Sequence, residues 1–241
     1  MGIAMGFLLL AGGAEFSGRM IDVDRRAIEL AGGSAAARID IIPAAAAPDD
    51  NHRRAAQKGI HWFTKLGACH VVSQPLIDQR SAQRPEIADS LRHSCFIYLL
   101  GGFPSHLALS LRDTLSWKSI QTVFTGGGVV GGSSAGAMVL CQFFYDPAGD
   151  RIEAGLGMLP GTCVIPHHNR HRSKWVNRLR SLLPDQLLLG IDERTAIIND
   201  AAAGGWIVYG EGEAVVYSAS SRQSYAPGNI IYYNELQPPL I

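Results

Sequence analysis

Charge is scarce in this chain. Only 17% of its 241 residues are Asp, Glu, Lys or Arg, and 21 acidic residues cancel 21 basic ones to a formal net charge of zero. Such a surface has no field to gather a polyanion or an anionic bilayer, so neither nucleic acid nor a membrane surface is an expected partner. Cysteine is sparse as well. Cys69, Cys95, Cys141 and Cys163 stand far apart and form no C-x-x-C pair, and they read as buried apolar fillers of a reducing, cytoplasmic compartment. No apolar run reaches the length of a membrane span. The run MGFLLLA at residues 5–11 lacks a basic leader and passes into Gly12-Gly13-Ala14-Glu15, so a buried first strand is expected there and not a secretory leader. Internal repeats and linkers are missing too. With 47% apolar residues, one α/β domain over residues 1–241 is the expectation.

What is present alternates. Short apolar runs at 7–11, 37–42, 69–72 and 96–100 read as strands, several of them closed by glycine pairs or proline. Between them, residues 21–30, 50–66, 85–92, 105–111 and 117–123 carry helical spacing. Strand–helix alternation of this kind predicts a parallel sheet covered by helices on both faces. Ligands of such sheets sit outside the carboxyl ends of the strands. Gly12-Gly13, Gly101-Gly102 and Ser134 each follow such an end. The last third differs: 163–165, 187–191 and 195–198 are strand-like, and 206–209, 214–218 and 229–233 suggest a small antiparallel set.

The chemistry centres on Gly131-Gly132-Ser133-Ser134-Ala135-Gly136-Ala137. Gly132-x-Ser134-x-Gly136 is the pattern of a nucleophile elbow, in which a sharp strand-to-helix turn projects a serine hydroxyl and tolerates only small neighbours. An activated serine needs a base. Of eight histidines, those at 52, 61, 70, 93 and 106 have ordinary helical or surface explanations. His167, His168 and His171 cluster after a strand end and are the candidates. His167 and His171 have i, i+4 spacing, but no glutamate lies between them and no third ligand is evident, so no metal or other cofactor is expected.

Five segments together carry a resemblance: the elbow, Tyr98-Leu99-Leu100-Gly101-Gly102, Gly155-Leu156-Gly157-Met158-Leu159-Pro160-Gly161, Pro166-His167-His168-Asn169-Arg170, and Leu189-Gly190-Ile191-Asp192-Glu193-Arg194-Thr195-Ala196. The chain resembles peptidase family S51, which includes aspartyl dipeptidase and cyanophycinase. The resemblance implies a three-layer α/β/α sandwich with a mostly parallel sheet, of the class I glutamine amidotransferase-like (flavodoxin-like) type. It implies serine hydrolysis of small aspartyl peptides and leaves homodimer formation open. Carried over by position, Ser134 matches the nucleophile, Gly102 and Ala135 the two oxyanion N–H donors, and Glu193 the third triad member. Aspartyl dipeptidases resemble Pro-His-aromatic, which selects His167 as base. Cyanophycinases resemble Asp-x-His-Phe with spaced basic residues, which would select His168, but Pro166 replaces the aspartate. With His167 as base, His168 is expected to line the crevice wall and to tolerate phenylalanine. Arg170 and Arg172 are the candidates for holding a substrate carboxylate.

Rival classes fit less well. An α/β-hydrolase runs serine, acid, histidine, and here no histidine follows His171. A glutamine amidotransferase requires cysteine at position 134. A non-catalytic binding module would have no need of the serine, histidine, glutamate and glycine turns together.

Overall fold

Five parallel strands make the centre: β1 (Phe7–Ala11), β2 (Arg38–Ile42), β3 (His70–Ser73), β4 (Phe96–Leu99) and β5 (Val129–Ser133). The computed structural model describes residues 6–240, with the side chains of Arg172 and Ser173 outside that description. The helices are α1 (Met20–Leu30), α2 (His52–Lys65), α3 (Gln79–Ala82), α4 (Pro85–Arg92), α5 (Pro104–Leu111), α6 (Leu115–Thr125), α7 (Ala135–Leu140) and α8 (His168–Leu182). Proline opens α4 and α5, where its missing N–H costs nothing. Thr114 caps α6 by accepting from Trp117 N–H at 3.2 Å. The remaining strands are β6 (Cys141–Asp146), β7 (Arg151–Ala154), β8 (Leu159–Ile165), β9 (Leu187–Ile191), β10 (Thr195–Ile198), β11 (Gly205–Gly210), β12 (Ala214–Tyr217), β13 (Arg222–Tyr225) and β14 (Ile230–Tyr232).

They form two sheets. The first runs β14-β11-β10-β1-β5-β4-β2-β3, and the second β13-β12-β9-β8-β6-β7. Alternation along β1 shows how the layers are built: Leu9 and Ala11 pack with α1 and α2, while Leu8 and Leu10 face the core shared with α4, α5, α6 and α7. The parallel sheet is thus covered on both faces, the α/β/α arrangement. The second sheet adds Phe144, Val164, Leu189 and Val216 to that shared core. Its other face, with Cys163, Ile165, Val215 and Tyr217, packs on Val176 and Leu179 of α8.

Two expectations are corrected. The strands of the last third do not form one antiparallel set: β11 and β14 extend the first sheet, while β12 and β13 belong to the second. The chain crosses between sheets at residues 192–194 and again after β11, so neighbours in sequence part in space. Of the cysteines, only Cys141 and Cys163 are buried; Cys69 is exposed and Cys95 half-buried. Burial lifts the Cys163 thiol to about 12 and Cys141 well above its usual value, which suits inert filler.

Among the described residues, no helix is long and apolar enough to cross a membrane, and no group of three His, Cys, Asp or Glu side chains is placed to hold a metal.

Candidate active site

The first sheet places β1, β5 and β4 side by side and parallel, so Gly12-Gly13, Ser134 and Gly101-Gly102 emerge at one edge. Ser134 turns the chain from β5 into α7 with φ 52° and ψ −113°, a conformation few non-glycine residues adopt. Its N–H donates to Ala11 O at 3.0 Å, which fastens the turn to the end of β1. The flanking glycines are required by space. A Cβ at Gly132 would overlap the Gly136 backbone, and one at Gly136 would overlap the Leu99 carbonyl.

The second sheet supplies the partners. Strands β8 and β9 are parallel neighbours, so residues just past their ends, His167 and Glu193, come out side by side. His167 takes the left-handed conformation, φ 48° and ψ 38°, and its N–H donates to Gly12 O at 2.7 Å. Arg194 N–H donates to Gly13 O at 2.9 Å. One glycine pair therefore ties down both strand ends of the other sheet. Gly13, at φ 112°, has no room for a Cβ, which would overlap the His167 ring.

The resulting line is short. His167 Nε2 lies 3.1 Å from Ser134 Oγ, and His167 Nδ1 lies 2.8 Å from Glu193 Oε1. Both partners are partly shielded, with side-chain exposures of 29% for His167 and 12% for Glu193. Glu193 is held further by Arg170, whose guanidinium meets Oε2 at 2.9 Å, and by its own N–H donating to Asn169 Oδ1 at 3.1 Å. A serine hydroxyl, an imidazole and a buried-side carboxylate in this sequence can generate an alkoxide-like nucleophile and stabilise the imidazolium that results. Across the crevice, Gly102 stands at φ 144° against Ala45, where a Cβ would overlap the Ala45 carbonyl. Phe103 N–H donates to that carbonyl at 2.8 Å.

A family model described as peptidase family S51 matches residues 7–203. The chain belongs to this family. It is a serine-type peptidase, a hydrolase of peptide substrates. Cyanophycinase of Synechococcus elongatus is 30% identical over 222 residues, covering 88% of this chain and 67% of that protein. Cyanophycinase of Trichormus variabilis is 29% identical over 224 residues, covering 87% and 72%. The crystal structure of a peptidase from an acI-B1 Actinobacterium superposes with a TM-score of 0.85 at 28% identity, over 96% of this chain and 98% of that one. A putative peptidase E from Listeria monocytogenes shares the fold, at TM-score 0.58 and 18% identity over 92% and 98%.

Of the residues expected to meet substrate in this S51 peptidase, His168 is turned away from the crevice and Arg170 is paired within the site. His168 does not line the crevice. Neighbouring residues diverge at the strand end, and His168 turns inward to 2% exposure, with Nδ1 2.9 Å from Asp192 Oδ1 and Nε2 2.8 Å from Tyr217 OH. Its ring fills the space beside Gly190, where a Cβ would overlap it. Arg170 is engaged by Glu193, as above. The side chain of Arg172 lies outside the described residues. His171 stacks on Trp175 with ring centroids 4.9 Å apart. His106, next to the Gly101-Gly102 turn in sequence, lies 2.7 Å from Ile77 O through Nε2 and fastens a loop.

Reading the sequence missed a cavity of about 570 Å³ beside the serine, whose walls include Glu15, Asn51, Lys58, His61, Trp62 and Gly101. Behind it Asp24 is fully buried and accepts from Trp62 Nε1 at 2.7 Å. Burial raises its carboxyl to about 7, against the lowering effect of the Trp62 bond and with a smaller push from Glu15. The only sequence signal for this wall was the polar face of α2, which solvent alone would explain.

Proposed function

We propose that this S51 peptidase hydrolyses small aspartyl peptides, Asp-X dipeptides above all, through an acyl-enzyme on Ser134. The observation that carries the reading is the continuous line from Ser134 Oγ to His167 Nε2 at 3.1 Å and from His167 Nδ1 to Glu193 Oε1 at 2.8 Å. Ser134 Oγ attacks the scissile carbonyl carbon while His167 Nε2 takes the hydroxyl proton. The carbonyl oxygen becomes an oxyanion facing the N–H groups of Gly102 and Ala135. Collapse of the tetrahedral species breaks the C–N bond, and the departing amine takes the proton from His167. Water, deprotonated by the same nitrogen, then attacks the serine ester and releases the acid. Glu193 keeps the imidazole turned toward the serine and balances its charge.

The cavity of about 570 Å³ beside Ser134 is of a size to take a dipeptide. A second reading, hydrolysis of β-aspartyl peptides, is favoured by the cyanophycinases among the relatives. A panel of Asp-X dipeptides, β-aspartyl dipeptides and simple esters separates the two. Turnover confined to Asp-X supports the first, and turnover confined to β-aspartyl bonds the second. In either case Ser134→Ala is expected to lower kcat by about four orders of magnitude or more without unfolding the protein. A variant that retained more than about a tenth of the rate would remove Ser134 from the reaction.

A further inference from the structure

The cavity beside the serine carries one charge of each sign. Glu15 reaches its wall with one oxygen already committed: Oε2 accepts from Ser133 Oγ at 2.8 Å, and Ser133 is fully buried. The other oxygen and the active serine both border Gly101. A Cβ at Gly101 would stand 3.6 Å from Glu15 Oε1 and 3.2 Å from Ser134 Cβ. Glu15 takes part in none of the ion pairs found among the described residues, and neither does Lys58, which lines the same cavity one turn of α2 from Trp62. A carboxylate pinned from behind, with an aromatic wall and no cation of its own, is suited to a ligand that brings one.

We propose that this cavity reads the zwitterionic first residue of the substrate: Glu15 takes its α-ammonium, and Lys58 takes its side-chain carboxylate. The inference rests on the reading of Ser134 as nucleophile toward aspartyl peptides. In an Asp-X dipeptide the ammonium is borne by the carbon bonded to the attacked carbonyl, so its partner must lie next to the nucleophile, as Glu15 does. The aspartate carboxylate extends away from that carbon, into the cavity that Lys58 also lines. Ser133, the residue before the nucleophile, thereby acts as a positioning residue: its hydroxyl holds Glu15 and touches no substrate. Arg170, fastened to Glu193, is not needed for recognition.

The test uses binding, so that it does not depend on turnover. Ser134→Ala protein is titrated by calorimetry with Asp-Leu, N-acetyl-Asp-Leu and Asn-Leu. The expected result is tighter binding of Asp-Leu than of either analogue, by about tenfold or more. Adding Glu15→Gln, which can still accept from Ser133, is expected to remove the preference over the N-acetyl peptide. Adding Lys58→Met is expected to remove the preference over Asn-Leu. Preferences that survive these substitutions, or equal weakening of all three peptides, would overturn the assignment, as would absence of binding by any of them. Hydrolysis of Asp-Leu and of p-nitrophenyl acetate by the unmodified protein is measured alongside. If neither is hydrolysed in a Ser134-dependent way, the catalytic reading fails whatever the titrations show. If hydrolysis depends on Ser134 but the preferences persist, only the recognition reading fails.

Discussion

Ser134 and His167 both hold positive φ, at 52° and 48°, and such angles persist in non-glycine residues only where the surroundings over-determine them. Here the surroundings are the hydrogen bonds from Ser134 to Ala11 and from His167 to Gly12. Glu193 and Asp192 are adjacent yet serve different neighbours. Glu193 meets the exposed-side histidine, whereas Asp192 meets the buried His168 and accepts from Glu213 N–H at 3.0 Å. Glu193→Gln is therefore expected to lower kcat by about a hundredfold or more with little change in thermal midpoint. Asp192→Asn is expected to lower the midpoint first. Steady-state kinetics and thermal melts on the two variants check this, and the reverse pattern would move the acid one residue earlier. His168→Phe, tolerable for a residue on a crevice wall, is a different substitution for a buried one. It removes the bonds that His168 makes to Asp192 Oδ1 and the Tyr217 hydroxyl, and an expected loss of about 2–4 kcal/mol is measurable by denaturant titration.

At the scale of elements, the site is a meeting of strand ends from two sheets. Strands β1, β5 and β4 deliver the glycine turns and the serine, and β8 and β9 deliver the histidine and the glutamate. The turn at Gly12-Gly13 is the hinge pin of this meeting, bonded to His167, Arg194 and Thr195. Gly13→Ala puts a methyl into the imidazole and an L residue at φ 112°. It is expected to lower kcat by about tenfold or more through displacement of His167, read by kinetics with near-ultraviolet circular dichroism as the control for folding. Unchanged kinetics would mean that the ring can shift without leaving the serine.

For the molecule as a whole, the buried Asp24 sets a dependence of stability on pH. Its carboxyl is raised from the ordinary 3.8 to about 7, so the folded chain binds that proton more tightly than the unfolded one. The associated stability is complete below the unfolded value, falls as pH rises between the two, and is lost once pH passes about 7. Asp24→Asn keeps an acceptor for Trp62 and removes the titration. It is expected to raise the thermal midpoint at pH 8 by several degrees, on the order of the shift from one or two kcal/mol, and to change it little near pH 4. Melts across that range check it, and parallel curves for the two proteins would count against the buried acid.

Much of this architecture was legible locally. Apolar runs of strand length, helices opened by proline and glycine turns at strand ends are patterns of period and backbone freedom, written within a few residues. The parallel sheet, and the elbow at Ser134 with its small neighbours, follow from them. So does the divergence of His167 and His168, since adjacent side chains leaving a strand point apart. Which of the pair meets Ser134 was decided by tertiary structure, because it depends on the edge of β8 lying against Gly12. The same holds for Arg170 on Glu193, for Ser133 on Glu15, and for the parting of the last strands between two sheets. Those pairings join residues far apart in the chain, and no local pattern records which distant partner will fill a side chain's space.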